Sequence, residues 1–353
     1  MTPLVSILVP AYNAERWVGD ALQSALAQTW PRCEIIAVDD GSSDTTLAVL
    51  RQFASRGVKV MAQSNKGAST ARNVALAEAQ GDFIQWLDAD DLLAPDKVAR
   101  QIAAWDGDPN TLLTSPWGRF RACPARARFV PTSMWTDLAP LDWVLRKFEH
   151  NDWMAIESWL VSRVLSERAG PWNETLSMDD DGDYFSRVVG ASARVAFAPG
   201  GRSYIRRLPS GSLSQGLHST ERLTSQVRSL ELQVERLLAA EDSPRTRAAS
   251  LKYLQRWLGL LYPEHPTLVA RLTGMASRLG GELAPPDLGW KYAAVQGLLG
   301  PAVASRVRLL MPRLTARTRF WLEYLECRTL LASERVGLSQ SHPTHGATDD
   351  RSA

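Results

Sequence analysis

Short apolar runs alternate with helical patterns through the first hundred residues. Residues 4–9 form a continuous apolar run that ends at Pro10, and residues 34–38 form a second one. Runs of this length and composition are typical of buried strands. Between them, residues 14–27 place apolar side chains at helical spacing. A strand, a helix and a strand with short connections predict a βαβ unit, and therefore an α/β fold with a parallel sheet.

The same alternation continues to residue 105 and then changes. Further helices are predicted at residues 45–55, 68–79 and 95–105, and further strands at residues 58–61 and 83–87. From about residue 220 the pattern is helical, with helices predicted at residues 223–240, 245–261 and 306–336. We therefore predict an α/β domain at residues 1–216, with halves at 1–105 and 106–216, a helical region at 217–337, and a disordered polar tail at 338–353.

Composition limits the class of protein. The chain has 353 residues, of which 45% are hydrophobic and 22% are charged, so it can bury a full core. Its formal net charge of +2 is too small to indicate nucleic acid as a partner. The three cysteines, Cys33, Cys123 and Cys327, are far apart, which favours free thiols over a disulfide framework or a zinc site. Because no signal sequence and no run of about 18 apolar residues is present, we expect the protein on the cytoplasmic side.

Three carboxylates, Asp88, Asp90 and Asp91, directly follow the predicted strand at residues 83–87. Carboxylates this close together repel one another unless a cation or hydrogen-bond donors satisfy them, and Mg²⁺ or Mn²⁺ prefers such oxygen ligands. Ligands of open α/β sheets also bind at the carboxyl ends of the strands. The alternative is a surface turn in which an aspartate caps the helix that starts near Pro95.

Polar loops follow the other predicted strands at the same edge of the sheet. Ser43 and Asp44 can cap the helix at residues 45–55, but a cap leaves Asp39 and Asp40 unexplained. A carboxylate there can accept hydrogen bonds from a ribose or a base edge. Arg72, in the first turns of the helix at residues 68–79, can pair with phosphate oxygens, although a lone arginine is more often solvated or salt-bridged.

A second acidic segment precedes the helical pattern after residue 183. It contains four acids in five positions: Asp179, Asp180, Asp181 and Asp183. Acids at a helix N-terminus interact favourably with the helix dipole. Four acids exceed what one helix terminus requires, so this segment is a second candidate for chemistry.

The first hundred residues resemble the nucleotide-sugar-binding half of family 2 glycosyltransferases, which have the GT-A fold. The segments that carry the resemblance are VSILVPAYNAERWV, IIAVDDGSSDTT and KGASTARNVALAEAQGDFIQWLDADD. The resemblance implies a mostly parallel central sheet flanked by helices. The helical extension after it is predicted from the periodicity of the sequence, not from the resemblance. The resemblance also implies that the nucleotide pocket, usually for UDP, is lined by Pro10, Tyr12, Asn13, Asp40 and Arg72. Asp88 and Asp90 match the DxD motif of the family, in which the equivalent of Asp90 contacts the metal, Mg²⁺ or Mn²⁺, on the diphosphate.

The resemblance also suggests residues for the later steps. In the family, an acidic pair followed six residues later by arginine supplies the catalytic base. Counting back from Arg187 gives Asp181 as the base and Asp180 as its neighbour, with Asp180 standing where glutamate is usual; Asp180 or Asp183 are the alternatives. Arg206 and Arg207 are predicted diphosphate partners. They precede residues 210–214, which resemble a flexible loop that closes over the diphosphate, the alternative being an ordinary Gly/Ser loop.

The middle of the chain is rich in tryptophan and arginine. Most of the five tryptophans between residues 112 and 159 are expected in the core, although a sugar ring of an acceptor can stack on an exposed one. The five are Trp117, Trp135, Trp143, Trp153 and Trp159. Four arginines form a basic stretch that is either a solvated loop or a contact for an acidic acceptor or a lipid phosphate. They are Arg119, Arg121, Arg126 and Arg128.

The function implied is inverting transfer of a sugar from a nucleoside diphosphate sugar, UDP-linked, to a glycan or lipid-linked glycan in surface polysaccharide synthesis. Residues 303–331 mix arginines with apolar residues, which suggests peripheral membrane contact; packing against the first domain or a second subunit is the alternative. A sugar nucleotidyltransferase would need a glycine-rich loop after the first strand, where this chain has PAYNAERW. A non-catalytic partner subunit that binds nucleotide or glycan is the other alternative, and the DxD motif and base candidates argue against it.

Overall fold

The computed structural model describes residues 2–208, 219–285 and 297–298. Its strands are β1 (Val5–Ala11), β2 (Cys33–Asp39), β3 (Val58–Ala62), β4 (Phe83–Trp86), β5 (Leu92–Leu93), β6 (Thr111–Thr114), β7 (Trp117–Phe120), β8 (Arg128–Phe129), β9 (Val161–Ser162), β10 (Arg194–Phe197) and β11 (Ser203–Arg206). Its helices are α1 (Val18–Leu26), α2 (Thr46–Gln52), α3 (Ala68–Glu78), α4 (Lys97–Ala103), α5 (Pro140–His150), α6 (Arg163–Ala169), α7 (Asp180–Ala191), α8 (Thr220–Ala240), α9 (Pro244–Leu261) and α10 (Pro266–Arg278). Short 3₁₀ turns occupy Ala54–Arg56, Pro124–Arg126 and Ile156–Ser158.

The central sheet has the strand order β3-β2-β1-β4-β9. Its first four strands are parallel and β9 is antiparallel to β4. Alternate side chains of β1 enter two different cores, because Ile7 packs with α1 on one face and Leu8 packs with α3 on the other. A strand that is buried on both faces reads as a continuous apolar run, which is why the sequence predicts it.

A second sheet, with the order β5-β11-β7-β8, lies beside the predicted acidic loop. Its edge strand β5 begins directly after Asp91 and pairs antiparallel with β11, which in turn pairs in parallel with β7. The strands β6 and β10 form a separate parallel pair. Leu113 of β6 and Leu160, next to β9, exchange two backbone hydrogen bonds of 3.3 and 2.9 Å, which connects this pair to the central sheet.

The predicted mostly parallel sheet flanked by helices is confirmed, and the boundaries shift by a few residues. The helix predicted at 14–27 starts only at Val18, because residues 14–17 form a turn in which Ala14 accepts hydrogen bonds from the backbone of Trp17 and Val18. The helix predicted at 45–55 ends at Gln52 and continues as a 3₁₀ turn up to Gly57, whose φ of 91° ends it. Cys33 and Cys123 are free thiols, as predicted.

The helical region that follows the sheets is present. Helices α8, α9 and α10 share an apolar core with α5, which includes Leu145 and Phe148 from α5. Ser219 and Ser243 cap α8 and α9 by accepting a backbone hydrogen bond from the residue three positions later. Within residues 2–208, 219–285 and 297–298, every helix is too short or too polar to cross a membrane. The predictions for residues 210–214, 303–331, 306–336, 338–353 and Cys327 lie outside the described residues.

Candidate active site

Two loops at the carboxyl ends of β1 and β2 are held together by hydrogen bonds. Asn13, whose φ of 47° lies in the left-handed region, accepts a hydrogen bond on Oδ1 from the backbone N–H of Ser43 (2.9 Å). Its own N–H donates to Ser42 Oγ (3.0 Å). Pro10 is at the end of β1, in register with Val38. Tyr12 is 50% exposed between these loops, so its ring is available to stack on a flat ligand.

Asp40 is buried and holds the turn before α3. Its carboxylate accepts hydrogen bonds from Gln63 Nε2 (2.7 Å) and from the backbone N–H groups of Lys66 (2.9 Å) and Gly67 (2.8 Å). Gly67 has a φ of 94°, which side chains disfavour, so this turn depends on glycine. Asp40 therefore fixes the start of the helix that carries Arg72, and its predicted contact with a nucleotide stays a prediction.

The predicted acidic loop, with its three aspartates, lies against a fourth acid, Glu157, that the sequence analysis missed. One carboxylate oxygen each from Asp88, Asp91 and Glu157 lies within 4.8 Å of the others. Glu157, in the 3₁₀ turn Ile156–Ser158, accepts a hydrogen bond on Oε1 from the backbone N–H of Asp88 (3.1 Å). The signal available in the sequence was a lone carboxylate in the apolar run MAIESWLV. Asp90 is outside this triad, so its predicted metal contact stays a prediction.

Burial and mutual repulsion raise the pKa values of these acids. Burial, followed by the charge of Asp88, raises the pKa of Glu157 to about 8 and that of Asp90 to about 6. Burial, followed by the charge of Glu157, raises the pKa of Asp91 well above its ordinary value. Lys97, buried nearby, contacts Gln85 Oε1, and burial lowers its pKa well below the ordinary value. A cluster of oxygen ligands with so little compensating charge fits a hard divalent cation such as Mg²⁺ or Mn²⁺.

Arg72 connects the two acidic segments. Its Nη2 lies 3.0 Å from Asp88 Oδ1 and its Nη1 lies 2.7 Å from Asp180 Oδ2. The guanidinium also packs 4.5 Å from the ring centroid of Trp172. Burial lowers the pKa of Arg72, but Asp180 and Asp88 outweigh it and raise this pKa above the ordinary value. The sequence predicted a phosphate contact for this arginine, and the structure adds a bridge between the DxD motif and Asp180, the neighbour of the candidate base.

Two of the four acids around the start of α7, Asp180 and Asp183, form ion pairs with arginine side chains. Asp183 is 1% exposed and pairs with Arg187 Nη2 (3.0 Å) and Arg236 Nη2 (2.6 Å). Asp180 accepts from Arg72 and, at 3.0 Å, from Ser69 Oγ. Both carboxylates are therefore already occupied by arginine side chains.

Asp181 differs from its neighbours because it has no ion-pair partner among the described residues. Its carboxylate accepts a hydrogen bond from the backbone N–H of Gly182 (2.9 Å), and its side chain is only partly buried. Burial, followed by the negative charges of Asp179 and Asp180, raises the pKa of Asp181 to about 7. Asp179 is itself held by Ser229 Oγ (2.7 Å) of α8, so the helical region supports this segment. A carboxylate with a near-neutral pKa is suited to general-base chemistry.

Arg206 and Arg207 lie on opposite faces of the second sheet. Arg206 is buried between the rings of Trp17 (4.3 Å) and Phe120 (4.7 Å). Its backbone N–H donates to Asp91 Oδ1 (2.6 Å) and its Nε donates to the backbone carbonyl of Asp90 (2.9 Å), so it braces the acidic loop. Arg207 is exposed. The predicted diphosphate contacts of both arginines stay predictions.

Most tryptophans of the middle stretch are buried, as expected. Trp117, Trp143 and Trp159 are at most 7% exposed, whereas Trp153 is 40% exposed. Trp153 lies four residues before Glu157, and its ring centroid is 4.3 Å from that of Trp117. Trp153 is therefore an exposed aromatic ring in the segment that leads to Glu157.

Comparison with known proteins finds similarity to glycosyltransferases in the first part of the chain. Residues 6–149 match the model of "Glycosyl transferase family 2". The putative teichuronic acid biosynthesis glycosyltransferase TuaG of Bacillus subtilis is 41% identical over 103 residues, which are 28% of this chain and 41% of TuaG. The UDP-Glc:alpha-D-GlcNAc-diphosphoundecaprenol beta-1,3-glucosyltransferase WfgD of Escherichia coli is 41% identical over 101 residues, which are 28% of this chain and 40% of WfgD. The chain thus spans about two fifths of the length of these relatives.

The solved structures extend the similarity to most of the chain at the level of the fold. The crystal structure of S. aureus TarS residues 1–349 in complex with UDP-GlcNAc has a TM-score of 0.64 and 19% identity, and the match covers 91% of this chain and 92% of TarS 1–349. At this identity the likeness concerns the fold alone. It confirms the predicted GT-A-type architecture with a helical region after it.

Proposed function

Because the chain carries a family 2 glycosyl transferase domain at residues 6–149, we propose that it is an inverting glycosyltransferase. The donor is a nucleoside diphosphate sugar, UDP-linked, and the acceptor is a hydroxyl group of a glycan or lipid-linked glycan in surface polysaccharide synthesis. Three relatives support this proposal. TarS was solved with UDP-GlcNAc, WfgD is named for a UDP-Glc donor and a lipid-linked acceptor, and TuaG is named for teichuronic acid biosynthesis.

The observation that carries the proposal is the connection through Arg72. One guanidinium pairs with Asp88 of the acidic loop and with Asp180, the neighbour of the candidate base. A transferase needs its donor acids and its base at a fixed separation, because the acceptor oxygen must attack as the leaving group departs. The ion pairs of Arg72 would keep this separation fixed, although Arg72 and Asp180 lie 108 positions apart in the chain.

On the donor side, Tyr12 offers an exposed ring for the base, next to the loop held by Asn13. Asp88, Asp91 and Glu157 would hold Mg²⁺ or Mn²⁺, with Asp90 beside them. When bound, the cation supplies positive charge that stabilises the leaving diphosphate. Arg206 keeps the acidic loop in place through its contacts with Asp91 and Asp90.

On the acceptor side, Asp181 acts as the general base. Its carboxylate accepts the proton of the acceptor hydroxyl while the oxygen forms a bond to the anomeric carbon and the bond to the diphosphate breaks. Asp180, fixed by Arg72 and Ser69, keeps a negative charge next to Asp181. This charge and burial keep the pKa of Asp181 at about 7, which lets the carboxylate both accept and release a proton near neutral pH.

The donor site is tested by calorimetric titration of the full chain with UDP, GDP and CDP, each with and without Mn²⁺. We expect UDP to bind with Mn²⁺ dependence, and Asp88→Asn to reduce the UDP affinity in Mn²⁺ to its metal-free value. Asp96→Asn, at an exposed acid directly before α4, is the matched control. Binding of none of the nucleotides would contradict the proposal. Production of UDP from UDP-sugars, with NMR of the product anomer, then tests transfer and inversion.

The same titration decides which acids complete the metal site. If the triad holds the cation, Glu157→Gln weakens Mn²⁺-dependent UDP binding as strongly as Asp88→Asn does, because each removes one oxygen ligand. If Asp90 is a ligand, as its match to the DxD motif implies, Asp90→Asn does the same. Unchanged affinity in Glu157→Gln would exclude Glu157 as a ligand and leave it with the role of orienting Asp88.

The pH dependence of turnover follows from the pKa of Asp181. A base must be unprotonated, and a pKa raised to about 7 leaves Asp181 mostly protonated below that pH. We therefore expect kcat to rise about tenfold per pH unit below about pH 7 and to level off above it. Saturating Mn²⁺ and donor keep the other acids deprotonated in this assay. A flat profile between about pH 5.5 and 8.5 would contradict the assignment of the base.

A further inference from the structure

Two arginines share one face of the second sheet. Strands β7 and β11 run in parallel with Arg119 in register with Ile205, and the backbone N–H of Arg207 continues the ladder by donating to the carbonyl of Phe120 (2.7 Å). Side chains alternate along a strand, so Arg119, Ile205 and Arg207 point to the same face. Arg206 and Phe120 point to the opposite face, against Trp17 and Asp20 of the donor side.

This face adjoins the acidic triad. Ser203, on the same face of β11 as Ile205, donates through Oγ to the backbone carbonyl of Glu157 (3.1 Å). Trp153 lies four residues before Glu157 in the chain, and its ring packs against that of Trp117. The guanidinium carbon of Arg119 is 4.8 Å from the ring centroid of Trp117 and 5.0 Å from that of Trp153. The aromatic rings therefore fix the direction of the Arg119 guanidinium.

Neither arginine of this pair has an acid to neutralise it in the described part of the chain. The other arginines of the site do, since Arg72 pairs with Asp88 and Asp180, and Arg206 pairs with Asp20. Burial, followed by the charge of Arg207, lowers the pKa of Arg119 to about 10. Two guanidinium groups in such a position offer paired N–H donors for a phosphate, which is the geometry that arginine recognises best.

The neighbouring ring of Trp153 narrows the chemical class of the ligand further. Trp153 is 40% exposed, and the apolar C–H face of a sugar ring stacks on an exposed indole. We propose that Arg119 and Arg207 bind a phosphate group of the acceptor, whose sugar ring stacks on Trp153. This inference rests on the proposed function, because it names the acceptor class of the same transfer: a sugar linked to a phosphate. The site lies on the face of the second sheet away from Arg206 and Trp17, next to the acidic triad that would hold the cation of the donor.

The test uses the full chain with UDP and Mn²⁺ at saturation, so that the donor site is filled, and titrates glucose 1-phosphate, glucose and inorganic phosphate. We expect glucose 1-phosphate to bind more tightly than either fragment. Arg119→Ala and Arg207→Ala should each weaken its binding about tenfold to a hundredfold, since each removes charge-assisted hydrogen bonds. Trp153→Ala should weaken glucose 1-phosphate about two- to tenfold and leave inorganic phosphate unchanged.

Arg202→Ala is the matched control. Arg202 is also exposed and also lies over an aromatic ring, 5.3 Å from the centroid of Phe129, but it precedes β11 at the other end of the strand. Its replacement should leave all three affinities unchanged. Arg207 is exposed, so its variant tests the site even if Arg119→Ala fails to fold.

Three results would overturn the inference. The first is glucose 1-phosphate affinity that is independent of both arginines. The second is a loss of UDP affinity in Arg119→Ala or Arg207→Ala, which would assign them to the donor diphosphate. The third is flotation with phosphatidylglycerol vesicles that depends on both arginines without binding of glucose 1-phosphate, which would make the phosphate a lipid headgroup. Failure of the proposed function is a separate result, namely no nucleotide binding by the unmodified chain.

Discussion

Asp181→Asn is expected to lower kcat about 10²- to 10⁴-fold, because asparagine cannot accept the proton of the acceptor hydroxyl. The affinity for UDP in Mn²⁺ should not change, since Asp181 is outside the triad of Asp88, Asp91 and Glu157. The fold should also persist, because the hydrogen bond that the Asp181 carboxylate accepts from the N–H of Gly182 is local. The measurements are UDP release at saturating donor and acceptor, and calorimetric titration with UDP.

Asp142→Asn is the control for this change. Asp142 lies in the first turn of α5, as Asp181 lies in the first turn of α7, so both variants lose the same favourable interaction with a helix dipole. The control should turn over normally. Turnover retained in Asp181→Asn would move the base elsewhere, and Asp180 would be the next acid to replace.

The sequence predicted those parts of the site that depend on local pattern. The strand ends are visible because β1, β2 and β4 are buried on both faces and change abruptly from apolar to polar residues. Asp88 and Asp40 follow directly from those ends. The excess of acids before α7 was likewise visible, because a single helix N-terminus does not require four of them.

The parts that could not be predicted depend on contacts between distant residues. Glu157 joins Asp88 across 69 positions, and nothing in its own neighbourhood distinguishes it from a buried structural acid. The bridge from Arg72 to Asp180 depends on how α3 and α7 pack on the sheets. The sequence also could not show which of Asp180, Asp181 and Asp183 is the base candidate. That choice depends on which arginines pair with each carboxylate, and only the structure shows these pairs.

The opposite orientation of Arg206 and Arg207 illustrates the limit of a motif. The side chains of adjacent residues in a strand point to opposite faces of the sheet. Two neighbouring arginines therefore cannot bind one diphosphate from the same face. The sequence analysis predicted neither β11 nor its pairing with β7, and only that pairing shows that Arg207 shares a face with Arg119.

Asp183→Ala is expected to lower the free energy of unfolding by about 3–5 kcal/mol, because it removes the carboxylate from a buried ion-pair network. Asp183 is 1% exposed and pairs with Arg187 and Arg236, whose side chains are 19% and 31% exposed. Its loss leaves two guanidinium groups without their common partner. Arg236 belongs to α8, so the change also weakens the attachment of the helical region to the start of α7. Equilibrium denaturation in urea, followed by circular dichroism, measures the effect.

Asp96→Ala is the matched control, because Asp96 and Arg100 form an i,i+4 pair at the start of α4 just as Asp183 and Arg187 do in α7. The Asp96 and Arg100 side chains are 46% and 63% exposed, so this loss should cost only about 0.3–0.5 kcal/mol. The contrast compares a buried aspartate that has two arginine partners with an exposed aspartate paired with Arg100, at the same i,i+4 spacing. If Asp183→Ala unfolds like the control but loses turnover, Asp183 is the base after all, and the carboxylate that both arginines neutralise would have to be released from them in the catalytic cycle.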